Sequence, residues 1–557
     1  MAAPHSPEVG AAAPLQKRLC DYFAVLRRTN QGKVTCFSFP QEQHDDSPFP
    51  GAHVVGMFCF PLLEHCDQRQ PVNFFTLTAA DYSHTYGACL RFPIPGSEAE
   101  EDDPVVEQAV CLLSHFPFFR LFEHVLNELY AIYMGGTLTL DDSATTGVNT
   151  AALAWPPPLE RFFCYLVYEV PVPGRAETLH LSLRDGVGTG DAANVPPFVQ
   201  GRQPIAFLPE IDPQAFRVLF DTLSVENVLL CVEAILMEQR ILLMSENFHI
   251  LTPVGEALCA LIFPLQWQLI YIPMLPSYMT MSLKSPVNYI VGVHTTSVLE
   301  SEEDLELPSA LVVYLDDDKV ISPVMCEIAL ATGDSNGGGD SGDMLDTIPK
   351  LPSTLRTGLG DMLRTIVEQR TASPSSTIWT VQVQACFLRV FLRLFSSYRR
   401  YHPGLESSSA AGYGGTAVVN FNVRGFLQSR VYMWRQFLSA LVQTQSFHEF
   451  LQAAARGDPE VNAFDRYLEL ERANSRAGKR TDDPETMLFV PSVKLQKTVT
   501  LKPDSVNLVP VERETAKFQT RREQTVRKGL FPCPDADFML PPRVDIGLTR
   551  LREGVAI

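Results

Sequence analysis

The chain has 557 residues, 46% of them hydrophobic and 20% charged, so it is too long for one core and its composition is globular rather than disordered. Its formal net charge of −19 disfavours binding to nucleic acids or directly to membranes, because phosphate groups repel an acidic surface. The twelve cysteines contain no C-x-x-C pair, which excludes zinc-ribbon and thioredoxin-type spacing and favours reduced thiols in a cytosolic protein.

The first block, residues 19–136, is predicted to be an α+β unit with a small antiparallel sheet covered by helices. It opens with three short runs typical of strands: DYFAVL, KVTCFSF and VVGMFCF. The run FFTLTAADYSHTYGACLRF then indicates two strands around a turn at Asp81–Ser83. After Pro117 a helix is predicted from apolar residues at helical spacing: Phe119, Phe122, Val125, Leu126 and Leu129.

A second block, residues 159–323, alternates strands and helices, which predicts an α/β layer with a largely parallel sheet. Its strongest helix is predicted to begin after Ser224 as N-cap, with Glu226 in the positive first turn. The strand RILLMS follows, and then a second helix with Thr252 as N-cap and Pro253 at its first position. The apolar runs WQLIYIPML, YIVGVHT and ALVVYL predict further strands.

Residues 257–283 carry no charged side chain, and the stretch is long enough to suggest a membrane span. Pro264, Pro273 and Pro276 would interrupt such a helix. We therefore interpret the stretch as a helix, a buried strand and another helix, and we predict no transmembrane segment.

The third block, residues 353–455, is predicted to be helical and follows a flexible linker at Gly333–Asp343. Its two apolar regions are WTVQVQACFLRVFLRLFSSYRRY and RGFLQSRVYMWRQFLSALVQTQSFHEFLQ. Beyond Gly457 the apolar pattern fades, so residues 456–557 are interpreted as a polar tail of unknown role.

The sequence contains no P-loop, no dinucleotide fingerprint and no H-E-x-x-H motif. His115 and His294 lie within apolar sequence, where a structural histidine is favoured over a catalytic one. We therefore predict no catalytic residue, no metal site and no cofactor.

Three segments resemble the modules of the tripartite DENN domain family, in the family's order. TYGACLRF and CLLSHFPFF are similar to strand and loop elements of its upstream module. The run from LFDTLSVENVLL to SPVNYIVGVHT follows the central module almost throughout, and the downstream module is represented by FLRVFLRLFSSYRRY and FLSALVQTQSFHEFL with its Thr-Gln-x-Phe element. The resemblance covers roughly residues 19–451.

The resemblance implies a bilobed fold of combined α/β and α+β class. A longin-like N-terminal lobe would face an α/β C-terminal lobe that carries an appended helical module. It also implies guanine nucleotide exchange on a Rab-family GTPase seated between the lobes. Such a protein would act in the cytoplasm and be recruited to vesicle or endosomal membranes through partners.

On this interpretation, polar side chains at the rim between the lobes would contact the GTPase. The candidates form three sets: Asp221, Ser224, Glu226 and Asn227; Ser285, Asn288 and Tyr289; and Ser114, His115 and Phe116. Helix capping is the alternative role for Ser224 and Glu226, and core packing is the alternative for Tyr289 and Phe116.

Three other functions stay open. A DENN-like GTPase-activating protein would supply an arginine to the phosphates, and Arg91, Arg120 and Arg161 are available for that role. A non-catalytic adaptor would bind loaded and empty GTPase equally, since equal affinity moves no equilibrium. An α/β enzyme would require a buried pocket with convergent titratable groups.

Overall fold

The structure is a computed structural model. It describes residues 19–32, 34–39, 50–79, 83–94, 105–134, 166, 172, 177–181, 198–201, 208–209, 211–299, 309–321, 348–370, 378–402, 421–476 and 497–501. Among these residues, no helix has both the length and the apolar character needed to cross a membrane. The predicted linker Gly333–Asp343 lies outside the described residues.

The N-terminal lobe is an antiparallel five-stranded sheet in the order β2-β1-β5-β4-β3, with two helices. Its elements are β1 (Tyr22–Thr29), β2 (Val34–Phe39), α1 (Ala52–Cys59), β3 (Asn73–Thr78), β4 (His84–Pro93), β5 (Val105–Ser114) and α2 (Phe119–Met134). The predicted hairpin and the helix after Pro117 are confirmed. The sequence interpretation did not identify β5, although this strand lies at the centre of the sheet.

The run VVGMFCF forms helix α1, so its prediction as a strand is wrong. The buried residues Val55, Phe58 and Cys59 follow the i, i+3, i+4 spacing of one helical face. Gly56 lies on the same helix, where an added Cβ would make ordinary contacts with Val34 and Leu26 of the sheet. Packing of this face on the sheet outweighs the β-propensity of the valines.

The C-terminal lobe has a second five-stranded sheet, in the order β12-β11-β8-β10-β9. Its elements are α3 (Pro213–Thr222), α4 (Val225–Leu236), β8 (Ile241–Ser245), α5 (Phe248–Ala260), β9 (Ile270–Ile272), β10 (Tyr289–His294), α6 (Thr295–Leu299), β11 (Leu311–Tyr314) and β12 (Lys319–Ile321). All neighbouring strands pair in parallel except β11 and β12, which confirms the largely parallel sheet.

Helix α5 begins after Asn247, five residues before the predicted N-cap Thr252. Thr252 is fully buried inside the helix, and its hydroxyl donates to the backbone carbonyl of Phe74 in β3 at 2.5 Å. Pro253 therefore lies in the helix interior. The capping prediction is wrong because the Thr252 hydroxyl binds the other lobe.

The uncharged stretch after Glu256 contains the end of α5, strand β9 and the 3-10 helix Ser277–Lys284. The helix–strand–helix interpretation is thereby confirmed, with a 3-10 helix as the last element. This 3-10 helix covers one face of the C-terminal sheet, where a small apolar cluster includes Leu242, Leu283 and Tyr289. The opposite face belongs to a larger core that continues into the N-terminal lobe and the helical module.

The helical module packs on the C-terminal lobe. It consists of α7 (Ser353–Arg370), α8 (Ile378–Leu394), a 3-10 helix (Tyr398–Tyr401), α9 (Val423–Gln428), a 3-10 helix (Tyr432–Trp434), α10 (Arg435–Leu441), α11 (Gln445–Arg456) and α12 (Pro459–Arg476). Helix α12 shows that regular structure continues beyond Gly457, where the sequence interpretation placed a polar tail. Its residues Val461, Phe464 and Leu468 are buried, and Phe464 packs on Phe395 and Phe450.

A third sheet joins distant parts of the chain in the order β13-β6-β7. Strand β6 (Glu177–Leu181) pairs antiparallel with β7 (Phe198–Gly201) and parallel with β13 (Lys497–Leu501). The segment interpreted as a polar tail therefore supplies one strand to this sheet. Residues 502–557 lie outside the described part of the chain.

Candidate functional site

The two lobes meet along a seam in which α5 and β9 of the C-terminal lobe pack on β3, and in which His84 and Tyr86 of β4 contact Tyr271 and Glu256. Glu256 of α5 lies buried in this seam. Its carboxylate accepts hydrogen bonds from Thr76 at 2.8 Å, Tyr271 at 2.9 Å and Tyr86 at 3.4 Å. Burial raises the pKa of Glu256, and the nearby His84 and these three hydroxyls oppose the rise. One buried carboxylate thus accepts hydrogen bonds from side chains of both lobes.

Glu256→Gln is expected to gain stability relative to the parent protein as the pH rises above 4.5, the ordinary pKa of a glutamate. The folded parent holds the Glu256 proton more tightly than the unfolded chain does, because its pKa is raised on folding. The proton on Glu256 therefore stabilises the folded parent fully below pH 4.5, and this stabilisation is lost as the pH rises through the raised pKa. Urea unfolding of both proteins across this range measures the difference, and a pH-independent difference would contradict the prediction.

A loop at residues 60–64 of the N-terminal lobe makes a second contact across the seam. The backbone N–H of Ser277 donates to the carbonyl of Pro61 at 2.8 Å. The Tyr278 hydroxyl lies against the carbonyls of Phe60 and Leu62, 3.1 Å from the latter. The first turns of the 3-10 helix Ser277–Lys284 are therefore bound to this loop.

Buried charged side chains of the N-terminal sheet also bind this loop. Arg28 donates to the carbonyls of Leu62 at 2.8 Å and Glu64 at 2.7 Å, and it forms an ion pair of 2.5 Å with Glu107. Arg28 and Glu107 are direct cross-strand partners on β1 and β5. The Nε atom of Arg91 lies 3.1 Å from the Glu107 carboxylate without the geometry of a hydrogen bond. Loop 60–64 is thus fixed by the N-terminal sheet and by the other lobe.

Exposed apolar side chains lie in both segments of this contact and in the loop that follows the 3-10 helix. Leu63 is 52% exposed, Met281 is 65% exposed and Val287 is 46% exposed. Met281 lies three residues beyond Tyr278, and residues three apart share one face of a 3-10 helix. We call Leu63, Met281 and Val287 the seam patch. It combines exposed apolar side chains from both lobes, and the hydrogen bonds of Ser277 and Tyr278 join the segments that carry Leu63 and Met281.

The first predicted set lies at the start of α4, near the carboxyl end of the parallel strands. The Ser224 side chain accepts from the Asn227 N–H, so the predicted helix cap is confirmed. The Ser224 N–H and the Asn227 amide both donate to Asp318, at 2.8 Å. The set's role in partner binding stays a prediction, but its polar groups already have partners within the protein.

The two acidic members of this set are paired with helix α7. Glu226 lies 2.8 Å from Arg364, and Asp221 lies 2.6 Å from Arg370. The Arg364 hydrogen bond lowers the pKa of Glu226. Both carboxylates remain about half exposed, so a partner can still reach them.

The second set lies at the opposite, amino end of the parallel strands. Tyr289 is 1% exposed and its hydroxyl donates to the Leu283 carbonyl at 3.2 Å. The Asn288 amide donates to the Glu238 carbonyl at 2.7 Å, and the Ser285 hydroxyl accepts from the Val287 N–H at 3.2 Å. This set adjoins the seam patch through Val287 but does not meet the first set.

The third set caps the end of β5 in the N-terminal lobe. The Ser114 hydroxyl is buried, donates to the Leu19 carbonyl at 2.7 Å and accepts from the Phe116 N–H at 3.0 Å. Phe116 is buried and stacks on Phe118. His115 is exposed and lies 2.6 Å from Asp21. The burial of Phe116 and Tyr289 agrees with their alternative role in core packing.

The sequence interpretation missed the seam patch because no local pattern distinguishes an exposed apolar residue from a buried one. The run Pro61–Leu63 and Met281 both lie in apolar sequence. His294, predicted to be structural, binds the Glu246 carbonyl at 2.9 Å and the Thr296 hydroxyl at 2.7 Å. Within the described ranges, no three His, Cys, Asp or Glu side chains are grouped to hold a metal ion.

Family models match three segments of the chain, in order and over more than half of its length. The uDENN domain matches residues 34–92, the DENN (AEX-3) domain matches residues 105–318, and the dDENN domain matches residues 421–467. The DENN match begins at β5, so it includes part of the N-terminal sheet.

Two curated relatives are similar over most of this chain. DENN domain-containing protein 1B of Mus musculus is 25% identical over 428 residues, which cover 76% of this chain and 44% of the relative. DENN domain-containing protein 1B of Homo sapiens is 25% identical over 452 residues, which cover 78% and 48%. The chain thus spans about half the length of these relatives. With its three matched modules in the order uDENN, DENN and dDENN, the chain belongs to the DENN domain family.

Proposed function

We propose that this protein is a guanine nucleotide exchange factor that promotes GDP release from a Rab-family small GTPase in membrane trafficking. It would act in the cytoplasm, at vesicle or endosomal membranes to which partners recruit it. Membership in the DENN family, a family of Rab exchange factors, supports the proposal. The structural observation that carries it is the seam patch, which presents exposed apolar side chains from both lobes.

Exchange needs a binding surface and no covalent chemistry. A GTPase holds its nucleotide through its own phosphate loop, switch segments and Mg²⁺. A protein that binds the nucleotide-free form more tightly than the loaded form shifts the equilibrium toward release by the difference in affinity. The seam patch suits this task because Tyr278, Arg28 and Glu107 fix the backbone on which Leu63 and Met281 stand.

Of the three candidate arginines for the GTPase-activating alternative, the structure speaks against one. Arg91 is buried beside Glu107, so its guanidinium does not reach a partner's phosphates. Arg120 is exposed at the junction of α2 and α3, so its side chain stays accessible for that role. Arg161 lies outside the described residues.

The proposal is tested by measuring GDP release from a panel of Rab GTPases loaded with fluorescent GDP. We expect this protein to accelerate release from at least one Rab. GTP hydrolysis measured on the same panel identifies an activating protein, and equal affinity for loaded and empty Rab identifies an adaptor. No acceleration on any Rab would overturn the proposal.

Glu226→Lys is expected to slow GDP release roughly tenfold, because a reversed charge at the start of α4 repels a complementary partner. The charge-swapped variant Glu226→Lys/Arg364→Glu restores the ion pair with α7 but leaves the reversed charge at position 226. We expect this double variant to remain slow. Recovery of the parent rate would show that Glu226 acts only through α7.

A further inference from the structure

A groove in the helical module lies between the 3-10 helix Tyr398–Tyr401 and α12. Its volume is about 520 Å³, within the range of small-molecule sites. Ten residues line it: Ser397, Tyr398, Arg399, Arg400, Asn462, Asp465, Arg466, Leu468, Glu469 and Arg472. Four of these are arginines and two are acids, in a chain whose net charge is −19.

One acid of the groove is already neutralised. Asp465 forms an ion pair with Arg399 and accepts from the Tyr398 hydroxyl at 3.1 Å. Arg399 also lies over the Tyr398 ring, 5.8 Å from its centroid, so this guanidinium is held in place. Glu469 is the remaining acid of the lining.

Arg400 and Arg472 leave positive charge for a ligand. Arg400 and Arg472 are exposed, and neither side chain has an ion pair or hydrogen bond within the described ranges. Arg466 adds a third guanidinium to the lining. Arg400, Arg466 and Arg472 together outnumber Glu469, so the net charge of the lining is positive. Guanidinium groups bind phosphate oxygens through paired N–H donors, and several of them around one groove suit a ligand with several phosphates.

We propose that this groove binds a polyphosphorylated inositol group, either as a free inositol phosphate or as the headgroup of a phosphoinositide lipid. The site is independent of the exchange activity proposed above, since it lies on the helical module and not on the seam patch. The groove is thus a local positive surface on a protein whose net charge is negative.

Binding of inositol hexakisphosphate to the full chain, measured by calorimetry, tests the proposal. We expect Arg400→Gln/Arg472→Gln to weaken binding roughly tenfold or more, because each variant position loses a charge-assisted hydrogen bond. The control Arg393→Gln/Arg424→Gln makes the same charge change at two exposed arginines of the module outside this groove and should bind as the parent does. Thermal unfolding confirms that all three proteins are folded.

Sedimentation with phosphatidylcholine vesicles, with and without a phosphatidylinositol bisphosphate, distinguishes the two sources. Vesicle binding that requires both the lipid and the two arginines identifies the headgroup, and binding of the soluble compound alone identifies a free inositol phosphate. The proposal is overturned if the parent binds neither probe, or if the groove variant and the control lose affinity equally. Tighter binding of a doubly phosphorylated peptide than of either probe would also overturn it.

Discussion

Met281→Asp is expected to slow GDP release from the cognate Rab roughly thirtyfold or more, which corresponds to the ~2 kcal/mol typical of a central interface residue. Met281 is 65% exposed in the seam patch, one turn beyond the Tyr278 contact between the lobes. A carboxylate placed there would lose its water on binding the GTPase without gaining a partner. Because the side chain is exposed, the free energy of unfolding should change by only about 0.5 kcal/mol.

Two further variants make this prediction specific. Leu63→Asp alters the same patch from the N-terminal lobe and should slow release to a similar degree. Met433→Asp is the matched control, because Met433 is a methionine, 60% exposed, on the helical module and outside the seam patch. Release rates measured under single-turnover conditions decide the matter. Parent activity in Met281→Asp and Leu63→Asp would remove the seam patch from the proposed interface.

Glu107→Gln is expected to lower the free energy of unfolding by about 3–5 kcal/mol, the cost of breaking a buried ion pair from one side. The Glu107 side chain is fully buried between Arg28 and Arg91, which are themselves nearly buried. The glutamine amide is neutral and cannot balance the positive charges of Arg28 and Arg91. The variant should also bind Rab less well, since Arg28 holds the carbonyls of Leu62 and Glu64 in the loop that bears Leu63.

The comparison variant for stability is Glu449→Gln, which makes the same acid-to-amide change in the exposed pair with Arg456. Surface pairs contribute about 0–1 kcal/mol, so this variant should unfold near the parent's midpoint. Urea unfolding of the three proteins provides the measurement. Equal destabilisation in Glu107→Gln and Glu449→Gln would mean that the buried charges are not central to the stability of the N-terminal lobe.

Elements with strong local signals were predicted well. Helix α4 begins after Ser224 as expected, because cap and apolar stripe lie within one short stretch. The Thr-Gln-x-Phe element, quoted only as a resemblance, has a structural basis. Thr444 caps helix α11 by accepting from Phe447, and the carboxylate of Glu238 accepts from the N–H groups of Gln445 and Ser446.

Errors arose where distant contacts compete with local preference. The valines of α1 favour a strand, but the spacing of its buried face fits packing on the sheet. Thr252 has the side chain of an N-cap, yet its hydroxyl binds Phe74, 178 residues away in sequence. Helix α12 has a mostly polar sequence, and its buried Phe464 packs on Phe395 and Phe450 from other parts of the helical module.

The sequence by itself determined the order of modules, the family and the helices and strands whose stabilising interactions lie within a few residues. Only the tertiary structure decided which candidate residues are buried, that the first and second predicted sets lie at opposite ends of the parallel strands, and where apolar side chains stay exposed. Exposure depends on which elements cover a residue, and the ion pair of Arg28 and Glu107 joins residues 79 positions apart. No local pattern contains that information, because chain folding brings those groups together.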